Sequence, residues 1–208
     1  MYFVLATKNR GKIIEFKKLF MIPEIEIVGL DHICNIENVN IKEDGTSFEE
    51  NAIKKARFIA KKFGYPAIAD DSGLVVYALN GLPGIYSARF AGENATDLEN
   101  NLKLLKEMKN IKDRKAEFVC VIALVFPDEK TFTYEGRCQG MITYDLIGDK
   151  GFGYDPLFYY PPLNKTFAQM SPDEKNMISH RARAIQKIKK DINNILEYVK
   201  KWQAITYL

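Results

Sequence analysis

The sequence predicts one compact α/β unit with two lobes. Short apolar runs typical of strands, such as Tyr2–Ala6 and Ala116–Phe126, alternate with segments in which apolar residues recur at helical spacing. Serine or threonine followed three residues later by glutamate marks the start of several helices. No repeat, low-complexity stretch or linker interrupts the 208 residues, of which 47% are hydrophobic, so the chain is long enough to bury a sizeable core.

Composition excludes several functional classes. The net charge of +3 comes from basic residues interleaved with acids, so no basic stripe indicates nucleic acid. The longest apolar run, Phe118–Phe126, is much shorter than the roughly 18 residues of a membrane helix. The three cysteines, Cys34, Cys120 and Cys138, show no metal or disulfide spacing, and the N-terminus has no charged leader. We therefore expect a cytoplasmic protein with neither nucleic acid nor membrane as its partner.

The first element is a strand, Tyr2–Ala6, followed by a polar loop and a helix whose apolar stripe begins at Ile13. A loop between a strand and a helix N-terminus can receive an anion, because backbone N–H groups and the helix dipole point toward it. Three cations lie in this loop: Lys8, Arg10 and Lys12. The Walker spacing is absent, and a lysine-rich loop is often only solvated surface, so phosphate binding is slightly favoured here.

The next elements are a strand over Ile25–Leu30, a polar connection in which His32 and Cys34 read as surface residues, and a helix with Ser47 as N-cap and Glu50 as its reciprocal partner. That helix should end at Gly64. Its buried stripe is predicted to be Phe48, Ala52, Ala56, Ile59 and Phe63. Most lysines on its outer face are expected to be solvated, but Lys55 could reach a bound phosphate.

An acidic segment follows, where the apolar run Ala67–Ala69 stops at Asp70 and Asp71. We interpret it as a strand, a tight acidic corner, and a second strand over Leu74–Leu79 that pairs across the corner. Adjacent carboxylates raise each other's pKa unless a cation lies between them, which favours a metal site. The alternative is a plain turn in which aspartates cap backbone N–H groups. Glu43, before the preceding helix, could converge with Asp71 as a further ligand.

The middle of the chain carries fewer chemical signals. Arg89 lies among aromatic and small residues, either as a packing cation on Tyr86 or Phe90, or as a ligand clamp. Thr96 and Glu99 form a second capping box, which opens a helix that we interpret as scaffold. The stripe predicted to be buried along that helix is Leu98, Leu102, Leu105 and Met108.

Two further strands, Ala116–Phe126 and Thr131–Gln139, flank a hairpin turn, and another strand is expected near Met141–Thr143. A glycine-punctuated loop then holds Phe152 and Tyr154 between glycines. Such aromatics could form a stacking platform for a base, because glycine lets the backbone approach a ligand. The alternative is a tight turn that carries core aromatics.

The last segment is helical and begins at Ser171, with proline at the first helical position. Lys175, His180 and Arg181 cannot face one side of a straight helix, because successive residues turn by about 100°. A second N-cap at Ser179 would end the first helix and set His180 and Arg181 in the first turn of a new one. An apolar stripe continues to Trp202.

Together these segments resemble the inosine triphosphate pyrophosphatase family, which acts on noncanonical purine nucleoside triphosphates. The resemblance covers nearly the whole chain, and six motifs in the same order carry it. They are Thr7-Lys8-Asn9-Arg10-Gly11-Lys12, Glu43 to Phe48 with Glu50-Asn51-Ala52, Ala69-Asp70-Asp71-Ser72-Gly73, Pro83 to Arg89, Gly151-Phe152-Gly153-Tyr154-Asp155-Pro156, and Lys175 with Ser179-His180-Arg181.

The resemblance implies a long central mixed β-sheet flanked by helices, two lobes with a nucleotide cleft between them, and a homodimer. It implies Mg²⁺-dependent hydrolysis of ITP, dITP or XTP to the monophosphate and pyrophosphate. Asp71 is then the expected general base and a metal ligand, with Glu43 and Asp70 as further ligands. The expected substrate-binding residues are Thr7, Lys8, Asn9, Arg10, Gly11, Lys12, Lys55, Ser72, Arg89, Phe152, Gly153, Tyr154, Asp155, Lys175, His180 and Arg181.

Base preference follows from hydrogen-bond chemistry. A 6-oxo purine offers an acceptor that a donor such as Arg181 or His180 can satisfy, whereas adenine would leave that donor unpaired. Two alternatives stay open: a pyrophosphatase for other canonical or modified nucleotides, including pyrimidines, and a nucleotide- or RNA-binding module without turnover. The adjacent carboxylates argue against the second, because a pure phosphate binder gains nothing from anions.

Overall fold

The computed structural model describes residues 1–33 and 41–206. Cys34 lies outside the described residues. The strands are β1 (Tyr2–Leu5), β2 (Glu26–Val28), β3 (Ala67–Val76), β4 (Lys115–Val125), β5 (Thr131–Ile142), β6 (Phe158–Tyr160) and β7 (Lys165–Thr166). The α-helices are α1 (Arg10–Leu19), α2 (Phe48–Phe63), α3 (Asp97–Glu107), α4 (Pro172–Ile178), α5 (His180–Lys190) and α6 (Ile192–Thr206).

The seven strands form one mixed sheet in the order β2-β1-β3-β4-β5-β6-β7. β1 is parallel to both β2 and β3, whereas every pair from β3 to β7 is antiparallel. This confirms the α/β class with a central mixed sheet. The single two-lobed domain over residues 1–208 stays a prediction.

β3 corrects the acidic corner. Residues 67–76 pair with β4 in one unbroken antiparallel register, from Ala67 opposite Val125 to Val76 opposite Ala116. Asp70 and Asp71 therefore lie in mid-strand, and the predicted second strand over Leu74–Leu79 does not exist as a separate element. Successive side chains of a strand point to opposite faces, so the two carboxylates are separated by the sheet itself.

β5 is also longer than expected. Its twelve residues include Met141 and Ile142, which were predicted to belong to another strand. The β4–β5 hairpin turn is confirmed, with Glu129 at φ 73° and the Phe126 amide donating to the carbonyl of Lys130. Because β4 pairs along most of its length with both neighbours, β3, β4 and β5 form the continuous centre of the sheet.

Helix starts were predicted well, but two details were wrong. Ser47 accepts from the Glu50 amide, as expected of the N-cap, but the Glu50 carboxylate binds Thr46 and not Ser47. In α3 the capping box of Thr96 and Glu99 is confirmed. The helix is rotated from the predicted stripe, however: Leu98 and Leu102 are exposed, and the buried positions are Asn100, Asn101, Leu104 and Met108.

The core consists of three apolar clusters that cover the sheet. One, built on Phe3, Ile68 and Ile122, is covered by α1, α5 and α6 on one face. The second, built on Ala56, Ile59 and Ala69, is covered by α2 on the other face. The third lies toward β6 and β7 and includes the following residues: Leu74, Leu104, Met108, Phe118, Tyr154, Phe158 and Phe167. Asp70 faces α5 and Asp71 faces α2.

The C-terminal stripe is divided between two helices, since α5 ends at Lys190 with Asp191 as its C-cap and α6 begins at Ile192. Ile195 and Val199 of α6 are buried as predicted. Among the residues described, no helix combines the length and apolarity that crossing a membrane requires.

Candidate active site

A cleft of about 370 Å³ lies where the β1–α1 loop, the start of α2, the centre of β3 and the starts of α3 and α5 meet. It brings most of the predicted site residues together. Those that line it are Thr7, Lys8, Asn9, Lys12, Glu43, Lys55, Asp71, Ser72, Phe152, Gly153, Tyr154, Asp155, Lys175, His180 and Arg181. Arg10, Gly11, Asp70 and Arg89 lie outside its lining.

The β1–α1 loop keeps its shape through local hydrogen bonds. The Asn9 side chain caps α1 by accepting from the Lys12 amide at 3.0 Å, and the Thr7 hydroxyl accepts from the Asn9 amide at 3.2 Å. Asn9 thereby takes one of the amides expected to meet an anion. The other amides of the first turn of α1 are not used by this cap, so the N-terminal end of the helix is positively polarised at the cleft. The Lys12 ammonium lies beside them and is paired with Asp70 at 3.1 Å.

Asp71, Lys55 and Glu43 form the acidic side of the cleft. The Lys55 ammonium lies 3.0 Å from Asp71 Oδ1 and 3.0 Å from Glu43 Oε1, and the Asn51 amide donates to Asp71 Oδ2 at 3.3 Å. Burial raises the pKa of Asp71 to about 6, with Glu43 adding to the rise and Lys55 and Lys12 opposing it. Burial would lower the pKa of Lys55, but Asp71 and Glu43 raise it overall.

Asp70 lies on the opposite face of β3 and is fully buried against two cations. Arg181 Nη2 donates to its Oδ2 at 2.6 Å, and Lys12 Nζ lies 3.1 Å from the same oxygen. Burial would raise the pKa of Asp70, but Lys12, Arg181 and Lys55 hold it well below its ordinary value. Asp70 therefore holds Lys12 and Arg181, two cations that line the cleft. It lies on the other side of the sheet from Asp71 and Glu43.

Glu15 links three helices and was missed by the sequence reasoning. Its carboxylate binds Lys175 Nζ at 2.9 Å and pairs with Arg181 Nη1. Burial would raise the pKa of Glu15, but Arg181 and Lys175 lower it overall. Lys175 also donates to Asp155 at 2.6 Å. The available signal was an excess of predicted site cations, because Lys12, Lys175 and Arg181 need more counter-charge than Asp70 and Asp155 together provide.

In the loop that carries Phe152 and Tyr154, one aromatic ring is buried in the core and the other lies at the cleft. Tyr154 is a core residue, 4% exposed, whose hydroxyl donates to the carbonyl of Ser87 at 2.9 Å. Phe152 is half-buried at the cleft, with Lys175 Nζ 4.7 Å from its ring centroid. The loop also requires Gly11 to be glycine, because a Cβ there would lie 2.5 Å from the Phe152 ring.

His180 stacks on Phe118, with ring centroids 4.7 Å apart and an interplanar angle of 14°. Burial, with Arg181 and Lys175 nearby, holds the pKa of His180 well below its ordinary value, so the ring is neutral at pH 7. Its Nδ1 has no hydrogen-bond partner within the described residues. Gly136 of β5 permits this placement, since a Cβ there would lie 2.1 Å from the His180 carbonyl oxygen.

The two N-caps predicted for α4 and α5 are confirmed. Ser171 accepts from the Glu174 amide, and Ser179 both ends α4 and accepts from the Ala182 amide at 3.2 Å. The break at Ser179 turns His180 and Arg181 toward Lys175, as expected. Arg89 takes its packing role: it lies 5.3 Å from the Tyr86 ring and donates to the Glu43 carbonyl at 3.0 Å.

The donor set fits a magnesium ion with its substrate. Across residues 1–33 and 41–206, no group of three or more His, Cys, Asp or Glu side chains is arranged to hold a metal. Mg²⁺ commonly needs only one or two protein carboxylates, together with water and substrate phosphates. The Asp71 and Glu43 carboxylates face the same cleft, where both bind the Lys55 ammonium. These two carboxylates meet that requirement.

Comparison with known proteins gives consistent matches over nearly the whole chain. The model of the Ham1 family matches residues 3–191. A protein of Desulfotalea psychrophila named dITP/XTP pyrophosphatase is 50% identical over 196 residues, which cover 94% of this chain and 87% of the relative. One of Clostridium perfringens with the same name is 47% identical, over 94% of this chain and 98% of its own length.

Solved structures agree with these sequence matches. The Ham1 protein of Staphylococcus aureus superposes with a TM-score of 0.84 at 46% identity, over 93% of this chain and 99% of that one. A HAM1 protein from Coxiella burnetii gives a TM-score of 0.85 at 40% identity, over 93% and 99% of the two chains. The fold and the sequence of this chain are thus similar to those of one group of proteins.

Proposed function

Because the chain belongs to the Ham1 family, we propose that it hydrolyses the noncanonical purine nucleoside triphosphates ITP, dITP and XTP to the nucleoside monophosphate and pyrophosphate. Relatives that share about half of its residues carry the name dITP/XTP pyrophosphatase. The observation that carries the proposal is the cleft in which Asp71, Lys55 and Glu43 face the β1–α1 loop. A carboxylate of raised pKa lies there beside a phosphate-binding type of loop.

The proposed chemistry needs positioning and charge neutralisation more than covalent help. Lys12, Lys55 and the amides at the start of α1 neutralise charge that spreads over the phosphates. Asp71 orients a water molecule and accepts its proton, a role that its pKa of about 6 suits at neutral pH. Asn51 and Lys55 hold the two oxygens of Asp71 in place.

We propose Mg²⁺ as the cofactor, held by Asp71 and Glu43 together with substrate oxygens. When bound, the ion neutralises phosphate charge and acidifies a coordinated water. Asp70, the third ligand expected from the sequence, faces α5 and binds Arg181 and Lys12. We propose that it supports these two cations and does not bind the ion. Arg89 supports Glu43 through its carbonyl.

The side of the cleft that binds the purine base, which we call the base side, consists of Phe152, Lys175 and His180. A neutral His180 can donate one hydrogen bond to a 6-oxo purine, and the residue lines the cleft. Arg181 already donates to Asp70, Ser72 and Glu15, so its role is to hold these acids and Ser72. The adenine amino group would leave the donor of the 6-oxo site unpaired.

We also propose that the protein acts in the cytoplasm as a homodimer. Buried free thiols at Cys120 and Cys138 suit a reducing compartment. Leu98 and Leu102 lie one turn apart on α3 and expose 55% and 51% of their surface, a typical feature of a surface that another chain covers. Light scattering of the purified protein measures its mass directly, and a monomer at micromolar concentration would remove this part of the proposal.

The function is tested by identifying the products from ITP with Mg²⁺ and with a chelator. The proposal expects inosine monophosphate and pyrophosphate, with the reaction stopped by chelation. Orthophosphate as the first product would place cleavage at another bond and contradict the proposal. A parallel panel of CTP, UTP and their modified forms covers the pyrimidine alternative, and nucleotide or RNA binding without any turnover would support a binding module.

A further inference from the structure

Both backbone groups of Gly153 are held by side chains of one helix. The Gly153 amide donates to Asp97 Oδ2 at 2.6 Å, and its carbonyl accepts from Asn101 Nδ2 at 2.8 Å. Asn101 Nδ2 also donates to the backbone carbonyl of Asp97 at 2.7 Å, which fixes the Asn101 side chain on the first turn of the helix. We call Asp97 and Asn101 the α3 clasp. Gly153 has φ 61°, a conformation that glycine adopts without strain.

The clasp holds the loop between two groups of the base side. On one side of Gly153, the Phe152 ring lies against Gly11 at the start of α1 and beneath the Lys175 ammonium. On the other side, Asp155 accepts from the Phe152 amide at 3.0 Å and from Lys175 at 2.6 Å. A shift of Gly153 would therefore move Phe152, Asp155 and Lys175 together.

Within the part of the chain that the structure describes, the clasp side chains make no hydrogen bond to the phosphate side of the cleft. Among the described residues, the side chains of Asp97 and Asn101 bind Gly153 and the α3 backbone, whereas the Asp71 carboxylate is held by Asn51 and Lys55. Asn101 is 3% exposed and does not line the cleft, so it can act on a ligand only through the loop, whereas Asp97 itself lines the cleft. The clasp therefore holds the loop that carries Phe152, and other residues hold the Asp71 carboxylate.

We propose that Asp97 and Asn101 are positioning residues that set the base-binding side of the cleft, an inference that rests on the proposed function. They fix Gly153, and through it the distance between the Phe152 ring and the facing wall. The clasp determines how tightly a purine is held, while the affinity for the phosphates is set elsewhere. The helix that the sequence predicted to be only scaffold is then part of the recognition of the base.

The test compares two ligands that each report on one side of the cleft. Binding of inosine monophosphate and of inorganic tripolyphosphate is measured by calorimetry for the wild type, Asp97→Ala, Asp97→Asn and Asn101→Leu. Loss of one hydrogen bond that holds the loop in its binding conformation weakens binding roughly tenfold. We expect that loss for inosine monophosphate in Asp97→Ala and Asn101→Leu, and affinity for tripolyphosphate within about twofold of wild type.

Asp97→Asn keeps an acceptor oxygen and should recover most of the affinity for inosine monophosphate. Lys106→Ala changes an exposed residue of the same helix, α3, and should leave both ligands unaffected. In turnover, KM for ITP should rise in the clasp variants while kcat stays within about threefold, because Asp71 is untouched.

Equal weakening of both ligands, or a fall of kcat with KM unchanged, would overturn the clasp and leave only a structural role for α3. Wild-type affinity for inosine monophosphate in Asn101→Leu would do the same. Failure of the proposed function has another signature: the wild type would release no pyrophosphate from ITP, whatever the clasp variants do.

Discussion

Asp70 and Asp71 are adjacent in sequence and should fail in opposite ways when each is replaced by asparagine. Asp70 is 1% exposed and neutralises Arg181 and Lys12. Removing one partner of a buried ion pair leaves uncompensated charge and costs roughly 3–5 kcal/mol. Glu15 still neutralises Arg181, so we expect a value near the lower end, about 3 kcal/mol. For a chain of this size that lowers Tm by roughly 10 °C.

Asp71→Asn should have little effect on stability. The pKa of Asp71 is raised to about 6 in the folded protein, so the folded chain holds this proton more tightly than the unfolded chain does. Ionised Asp71 at pH 7 therefore opposes folding, and a neutral amide removes that cost while Glu43 still pairs with Lys55. We expect an unfolding free energy within about 1 kcal/mol of wild type or above it, with kcat reduced by about 10²–10⁴.

The assay is chemical denaturation at pH 7 without metal, paired with pyrophosphate release from ITP with Mg²⁺. Each variant is the matched control of the other, because both change one carboxylate of the same strand to an amide. If Asp71→Asn loses about 3 kcal/mol while Asp70→Asn keeps full stability and loses turnover, the assignment of the two faces of β3 is wrong.

Three further predictions concern neighbouring groups. Lys55→Met removes the cation between Asp71 and Glu43, so the acid limb of the kcat/KM profile should move to higher pH; an unmoved limb would show that Lys55 does not set the Asp71 pKa. The pKa of His180 is lowered, so below pH 6.5 the unfolded chain binds a proton that the folded chain does not. The unfolding free energy of the wild type should therefore fall by up to about 1.4 kcal/mol per pH unit there. If the wild type and His180→Gln gave parallel curves of unfolding free energy against pH, this prediction would be wrong. Gly136→Ala should cost about 1–3 kcal/mol of unfolding free energy, because its Cβ would overlap the backbone of α5, and wild-type stability would refute that close approach.

Local chemistry explains which elements could be predicted from the sequence. The caps at Ser171 and Ser179 depend on residues within one turn, and both were found, together with the break that places His180 and Arg181 near Lys175. The charged motifs of the cleft were also found, because their residue types carry a chemical signal whether they lie in a loop, as Lys8 does, or in mid-strand, as Asp71 does. Their roles on this chain remain proposals.

The errors have one physical source, which is partners distant in sequence. Two carboxylates in a row predict a solvated corner, but Arg181, 111 residues after Asp70, neutralises one of them inside the sheet. In α3 two faces fit helical spacing, one through Leu98, Leu102 and Leu105 and the other through Asn100, Asn101, Leu104 and Met108. The sequence reasoning chose the one with Leu98 and Leu102, because buried asparagines at 100 and 101 are favourable only when their partners on other segments are known.

The proposed function is tested most directly by competition in one mixture. Equimolar ITP, XTP, dITP, GTP and ATP are incubated with the enzyme and Mg²⁺, and the monophosphates are separated over time. We predict that the first three are consumed at least about a hundredfold faster than ATP, because adenine leaves a buried donor unpaired, and that GTP is also left behind. Equal consumption of all five would contradict the base discrimination assigned to this cleft.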